Sequence, residues 1–135
     1  MAHENNQDKI LTARGEPPLS RFAYAACSTP PGIAGIAVIR MSGEDAFNIA
    51  DELFTPISPA YKSVSEMKGY SCAYGKFSDP LNFGKVIDRV ILTKFTAPES
   101  YTGENTVEIS CHGGIGVKSM ILKALYSKGA RPAEP

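Results

Sequence analysis

Between Phe22 and Ile39 the chain carries no charged side chain, and that stretch is long enough to cross a membrane as a helix. Pro30-Pro31-Gly32 sits in its middle, flanked by Ser28, Thr29 and Gly35. Proline lacks a backbone donor and clashes with a helix that continues past it, so the stretch must be two strands joined by a turn. Phe22 to Cys27 is the first strand and Ser28 to Ile33 the loop, because its two prolines cannot join a sheet ladder. Gly35 to Met41 is a second, mostly buried strand, judged by Ile36, Val38 and Ile39.

Beyond the second strand, Ser42 and Asp45 stand at the spacing of a capping box, ahead of Ala46, Phe47, Ile49, Ala50, Leu53 and Phe54. Those apolar positions follow helical spacing and predict a helix over Glu44 to Phe54, which Pro56 and Pro59 stop. Tyr70 to Phe77 and Val86 to Thr96 read as strands joined by a turn-rich Ser78–Gly84 segment, a hairpin pattern. Thr106 to His112 is a further strand, and a helix from Ile115 to Lys128 follows, capped by Gly129. The order predicts an α+β domain, with one mixed sheet of about five strands and flanking helices. Residues 1–20 are polar and aperiodic and read as a flexible leader or an added extension, leaving 21–135 as the folded domain. No terminating structure follows the last helix, so a piece of a longer protein is expected.

Lys and Arg number 14, Asp and Glu also 14, so the formal charge is zero. That balance argues against unaided binding to nucleic acid or to an anionic membrane. Cys27, Cys72 and Cys111 lie far apart without a Cys-x-x-Cys pair, which suggests neither a disulfide framework nor a zinc ribbon, and a reducing cytoplasm is the expected compartment. The polar first residues contain no secretory signal. His3 lies in the leader and a lone His112 makes no metal site, so no metal is expected.

Three features could carry chemistry. Arg40 shares strand periodicity with Ile36 and Val38, so a guanidinium ends an apolar row. It is either a strand-end arginine reaching water or a carboxylate, or a fixed cationic fork for a ligand. Glu108 lies on the wholly polar face Thr106, Glu108, Ser110 and His112, opposite Val107, Ile109 and Cys111. That face is either simply solvated or presents Glu108 as an acceptor for a heterocycle with two parallel N–H donors, such as a pterin or guanine edge. His112-Gly113-Gly114 marks the handover from strand to helix, either as a tight structural turn or as a place where a ligand approaches backbone and helix N-terminus.

Four pieces in order, Ser28-Thr29-Pro30-Pro31-Gly32, Ile36-Ala37-Val38-Ile39-Arg40-Met41-Ser42-Gly43, Ser100-Tyr101-Thr102-Gly103-Glu104-Asn105-Thr106-Val107-Glu108 and His112-Gly113-Gly114, resemble the N-terminal domain of the MnmE (TrmE) family of tRNA-modification GTPases. The resemblance covers Phe22 to Pro135. The family pattern T-P-P-G-R-G-G-I-G-I-x-R-I-S-G is broken at Ile33 and Ala34, where Arg and Gly are usual. By resemblance, Arg40 and Glu108 match positions that hold a reduced folate, and His112, Gly113 and Gly114 line that pocket or shape the turn beneath it.

The resemblance further implies a fold akin to the tetrahydrofolate-binding domains of glycine-cleavage-type aminomethyltransferases. It implies a homodimer and 5-formyl- or 5,10-methylene-tetrahydrofolate as the cofactor. In the whole family protein, GTP with Mg and K ions belongs to a GTPase domain, and an FAD-dependent partner joins in modifying the wobble uridine of tRNA. The chain contains no Gly-x-x-x-x-Gly-Lys-Ser/Thr loop. On this reading it holds folate and pairs, meets tRNA only indirectly, needs no membrane and is not catalytic by itself. The rival expectation is a dimerisation scaffold in which Arg40 and Glu108 pair with each other or across subunits and no ligand binds.

Overall fold

The computed structural model describes residues 21–32 and 34–133, so the leader expected over 1–20 and the departure at Ile33 lie outside the described residues. The elements run β1 (Tyr24–Cys27), β2 (Ile36–Ser42), α1 (Ala46–Leu53), β3 (Phe54–Pro56), β4 (Ser71–Asp79), β5 (Lys85–Phe95), β6 (Thr106–His112), α2 (Ile115–Ser127) and β7 (Arg131–Pro132). They form one seven-stranded sheet in the order β3-β4-β5-β6-β2-β1-β7. Every neighbouring pair is antiparallel except β1 with β7, which makes the sheet mixed and the fold α+β, as expected. The expectation of about five strands misses β3 and β7, two short edge strands that each contain a proline. Proline is tolerated at a sheet edge, where its missing donor would face away from the ladder.

One face of the sheet carries the core. Ala37, Ile39 and Met41 of β2 lie in register with Cys111, Ile109 and Val107 of β6, and all six are buried. Val90 and Leu92 of β5 and Ala73 and Phe77 of β4 continue that face, and both helices contribute to the same cluster through Ala46, Ile49, Ala50, Leu53, Ile121, Ala124 and Leu125. The sequence expectation for β2 holds at Ile39 and is corrected at Ile36 and Val38. Its buried row is Ala37-Ile39-Met41, whereas Ile36 is 66% exposed and Val38 only half-buried on the opposite face. Arg40 therefore ends a row on the open face of the sheet, not a row of the core.

The helix boundaries follow local chemistry. The expected Ser42/Asp45 capping box does not form: Asp45 accepts a hydrogen bond from Phe22 N–H at 2.7 Å, and Ser42 is buried at the end of β2. Helix α1 accordingly starts at Ala46 and hands over directly to β3. At the end of α2, Gly129 N–H donates to Tyr126 O and Ala130 N–H to Leu125 O, with Gly129 at a φ of 110°. This is a Schellman cap, and its left-handed position is the reason a glycine stands there.

Lys94 is an exception to the apolar core face. It is 5% exposed, and its ammonium donates to the carbonyls of Val64 at 2.9 Å, Ser65 at 3.2 Å and Met67 at 2.8 Å while lying 4.5 Å from the Phe47 ring centre. Burial pushes its pKa below the ordinary lysine value, against the opposing charge of Asp51. Asp51 in turn accepts from the Val64 and Ser65 N–H groups, so one cation and one carboxylate tie the irregular 57–70 segment to β5 and α1. Lys94→Met keeps the apolar stem and leaves buried carbonyls unpaired, so urea unfolding should show a loss of about 1–3 kcal/mol. An unchanged midpoint would show that water replaces the ammonium without cost.

Candidate functional site

The site lies on the open face of the sheet, opposite the helices. The β2–β6 register places Arg40 directly opposite Glu108, and the two side chains meet: Arg40 Nε donates to Glu108 Oε2 at 2.9 Å and Nη2 to the same oxygen at 2.6 Å. The side chains are 34% and 22% exposed. Because both bonds end on Oε2, the other carboxylate oxygen of Glu108 and the Nη1 group of Arg40 are left for further partners. Tyr101, itself 86% exposed, lies with its ring centre 5.2 Å from the guanidinium carbon, a cation–π contact on the solvent side.

Beside Arg40 lies a hollow of about 320 Å³, lined by Tyr24, Ala26, Ser28, Ser42, Thr102 and Glu104 among others. A hydroxyl cluster builds its wall. Ser42 Oγ lies 2.7 Å from Thr102 Oγ1 and donates to Glu104 Oε1 at 3.4 Å, and Thr106 Oγ1 donates to Ser42 Oγ at 3.3 Å. Gly43 N–H donates to Asn105 O at 2.9 Å, so the second and third sequence pieces close on each other. Ser42, Thr102 and Glu104 were not among the predicted site residues. Their signal was the density of hydroxyl and acidic side chains in Ser100 to Thr106, which a strand-by-strand reading treats as loop.

His112 stands apart from the ion pair, four residues along β6 and so about 13 Å away at the rise of an extended strand. Asp88, whose side chain is 11% exposed, accepts from His112 N–H at 2.9 Å and lies 2.8 Å from His112 Nδ1 through its other oxygen. A carboxylate is acceptor-only, so Nδ1 carries the proton in this contact and donates it to Asp88. Asp88 had no signal in the sequence beyond being an acid within an apolar strand.

The two glycines after His112 differ. A Cβ on Gly113 would collide with the carbonyl of Ala34, whose own N–H donates to Gly113 O at 3.4 Å, while nothing lies within 4 Å of a Cβ on Gly114. Gly113 thus serves a close approach by the β1–β2 loop, and Gly114 at the start of α2 is half-buried but has room for a side chain. A hollow of about 600 Å³ between the 28–32 turn and α2 has Cys27, Pro31, Leu122 and Tyr126 in its lining and holds none of Arg40, Glu108 and His112. Burial raises the Cys111 thiol to about 11, which removes it as a nucleophile, whereas Cys72 is exposed rather than shielded among apolar neighbours. No cluster of three or more metal-ligating side chains occurs among the described residues, and none of their helices is long and apolar enough to cross a membrane.

Residues 23–135 match the family described as GTP-binding protein TrmE N-terminus. A tRNA modification GTPase MnmE of Parabacteroides distasonis is 49% identical over 110 residues, which is 82% of this chain and 23% of the relative. Proteins of the same name from Lactobacillus acidophilus and Carboxydothermus hydrogenoformans are 44% and 41% identical over 111 residues, with the same shares covered. The chain thus spans about 23% of the length of these relatives.

Two outcomes follow from this geometry. A partly exposed ion pair contributes less than about 1 kcal/mol, so a double-mutant cycle of Arg40→Gln and Glu108→Gln in urea should give a coupling within that limit, and a larger value would make the pair a structural element. Gly113→Ala should cost about 1–3 kcal/mol because the Ala34 backbone must move, while Gly114→Ala stays within about 1 kcal/mol of the parent. Equal tolerance at both positions would remove the close approach as a constraint.

Proposed function

The chain belongs to the family of the GTP-binding protein TrmE N-terminus, and from that premise we propose that residues 21–135 form the reduced-folate-holding and pairing domain of a tRNA-modifying GTPase. The observation that carries the proposal is the Arg40–Glu108 pair on an uncovered sheet face beside a hollow edged by Ser42, Thr102 and Glu104. The donor set suits a reduced pterin. A pterin edge offers adjacent amino and ring N–H donors, which the spare oxygen of Glu108 and the carboxylate of Glu104 can accept, and its carbonyl can accept from the free Nη1 of Arg40. Tyr101 offers a π face at the mouth. Bound 5-formyl- or 5,10-methylene-tetrahydrofolate supplies one carbon, and the residues of this chain bind and orient it.

His112, Gly113 and Gly114 belong to the same proposal at one remove: Gly113 seats the β1–β2 loop and Asp88 fixes the imidazole. The proposed parent acts in the cytoplasm as a homodimer with an FAD-dependent partner on the wobble uridine of tRNA. GTP, Mg and K ions are assigned to its other domains. A second reading, the ligand-free dimerisation scaffold, is favoured by one specific observation: Arg40 and Glu108 satisfy each other without any ligand.

Calorimetric titration of 5-formyl-tetrahydrofolate distinguishes the two readings. The folate reading expects saturable heat that Glu108→Ala weakens by about 1–3 kcal/mol, or roughly 5- to 150-fold in Kd, because donors on the ligand lose their acceptor. Sedimentation that finds dimers with or without folate, together with no folate heat, would leave the scaffold as the function.

A further inference from the structure

The open face of the sheet has a second charged end. Lys76 of β4 and Arg89 of β5 are register partners, both exposed, and neither makes a salt bridge among the described residues. Like charges directly opposite each other on a sheet repel, so this pair costs stability as it stands. The nearby acid, Asp88, is committed to His112. Arg89 and His112 share the lining of a hollow of about 170 Å³ with Ile36, Tyr74, Ile91 and Ser110. Tyr74 and Ile91, register partners that are each 47% exposed, lie between this cationic end and the Arg40–Glu108 end, while Ile36, 66% exposed, stands opposite His112 at the cationic level.

The face therefore reads, along the strands, as a donor-accepting end, an apolar middle and a cationic end. Glu108 and the Arg89 level are separated by about 13 Å along β6, from Glu108 to His112, plus one strand spacing of about 4.8 Å across to β5. A reduced folate has the complementary order: a donor-rich pterin, an aromatic aminobenzoyl middle and a glutamate with two carboxylates. We propose that Lys76 and Arg89 form an anion subsite for the carboxylates of the folate's glutamate tail, with the aminobenzoyl group lying on Tyr74 and Ile91. The proposal rests on the folate reading of the Arg40–Glu108 end.

The test titrates two ligands, 5-formyl-tetrahydrofolate and a 5-formyl-tetrahydropterin that lacks the aminobenzoyl-glutamate tail, into the chain and into its Lys76→Gln/Arg89→Gln double variant. The parent should bind the folate at least about tenfold more tightly than the tail-less pterin, with an advantage that shrinks as ionic strength rises. The double variant should lose most of that advantage while its affinity for the pterin is unchanged, and its melting temperature should stay level or rise because a repulsive pair is gone. A double variant that keeps the advantage, or a parent that binds both ligands equally, overturns the tail subsite and leaves the folate reading in place. A parent that binds neither ligand overturns both.

Discussion

Seven consecutive residue pairs, from Ile36 opposite His112 to Ser42 opposite Thr106, join β2 to β6 at the middle of the sheet. Side chains alternate along each strand, so this one register decides which residues of both strands face the helices and which face outward. A one-residue slip of β2 against β6 would turn Met41 out of the core and carry Arg40 into it, away from Glu108. A buried guanidinium without its carboxylate would be strongly destabilising. The same register that closes the core therefore brings the guanidinium and the carboxylate together on the open face.

Covering only one face with helices has a consequence for function. An antiparallel sheet can leave its second face to water when that face is polar, yet here Tyr74, Ile91 and Ile36 remain exposed upon it. Scattered apolar residues are ordinary, but these share the lining of one hollow, and Tyr74 and Ile91 lie between two charged ends. The sheet thus works as a platform whose chemistry changes along the strands. The helices pack on it from behind, and Lys94 and Asp51 fasten the long β3–β4 connection to β5 and α1.

Much of this was legible in the sequence because it depends on short-range rules. The proline-glycine turn, the hairpin at 78–84 and the two helices followed from local chemistry, and the four motif pieces pointed to the family. What stayed hidden depends on pairing. In β2 both faces carry apolar residues, so composition alone favoured Ile36 and Val38 as core, and only the partner row of Val107, Ile109 and Cys111 selects Ala37, Ile39 and Met41. Asp45 looked like a cap until Phe22, distant in sequence, claimed its carboxylate. Arg40 and Glu108 stood out as separate anomalies whose mutual pairing belonged only to the rival reading; 68 residues separate them, and the register is what brings them together. Lys94 could not be read as buried, because its three partners are carbonyls, which no side-chain pattern reveals.

The weakness of the Arg40–Glu108 pair is compatible with the binding role proposed for it. A pair deep in the core would be strongly coupled, and a ligand that diverted one partner would strand the other charge without water. At about a third and a fifth exposed, both groups keep access to solvent, so diverting a carboxylate oxygen to ligand donors forfeits less than about 1 kcal/mol of mutual attraction. Two hydrogen bonds from the guanidinium to one oxygen meanwhile fix the orientation of the carboxylate before any ligand arrives, which lowers the ordering cost of binding. The pair can thus stabilise the empty face and still yield to a ligand whose donors match the second oxygen, so satisfaction of the charges in the free chain does not argue against a site there.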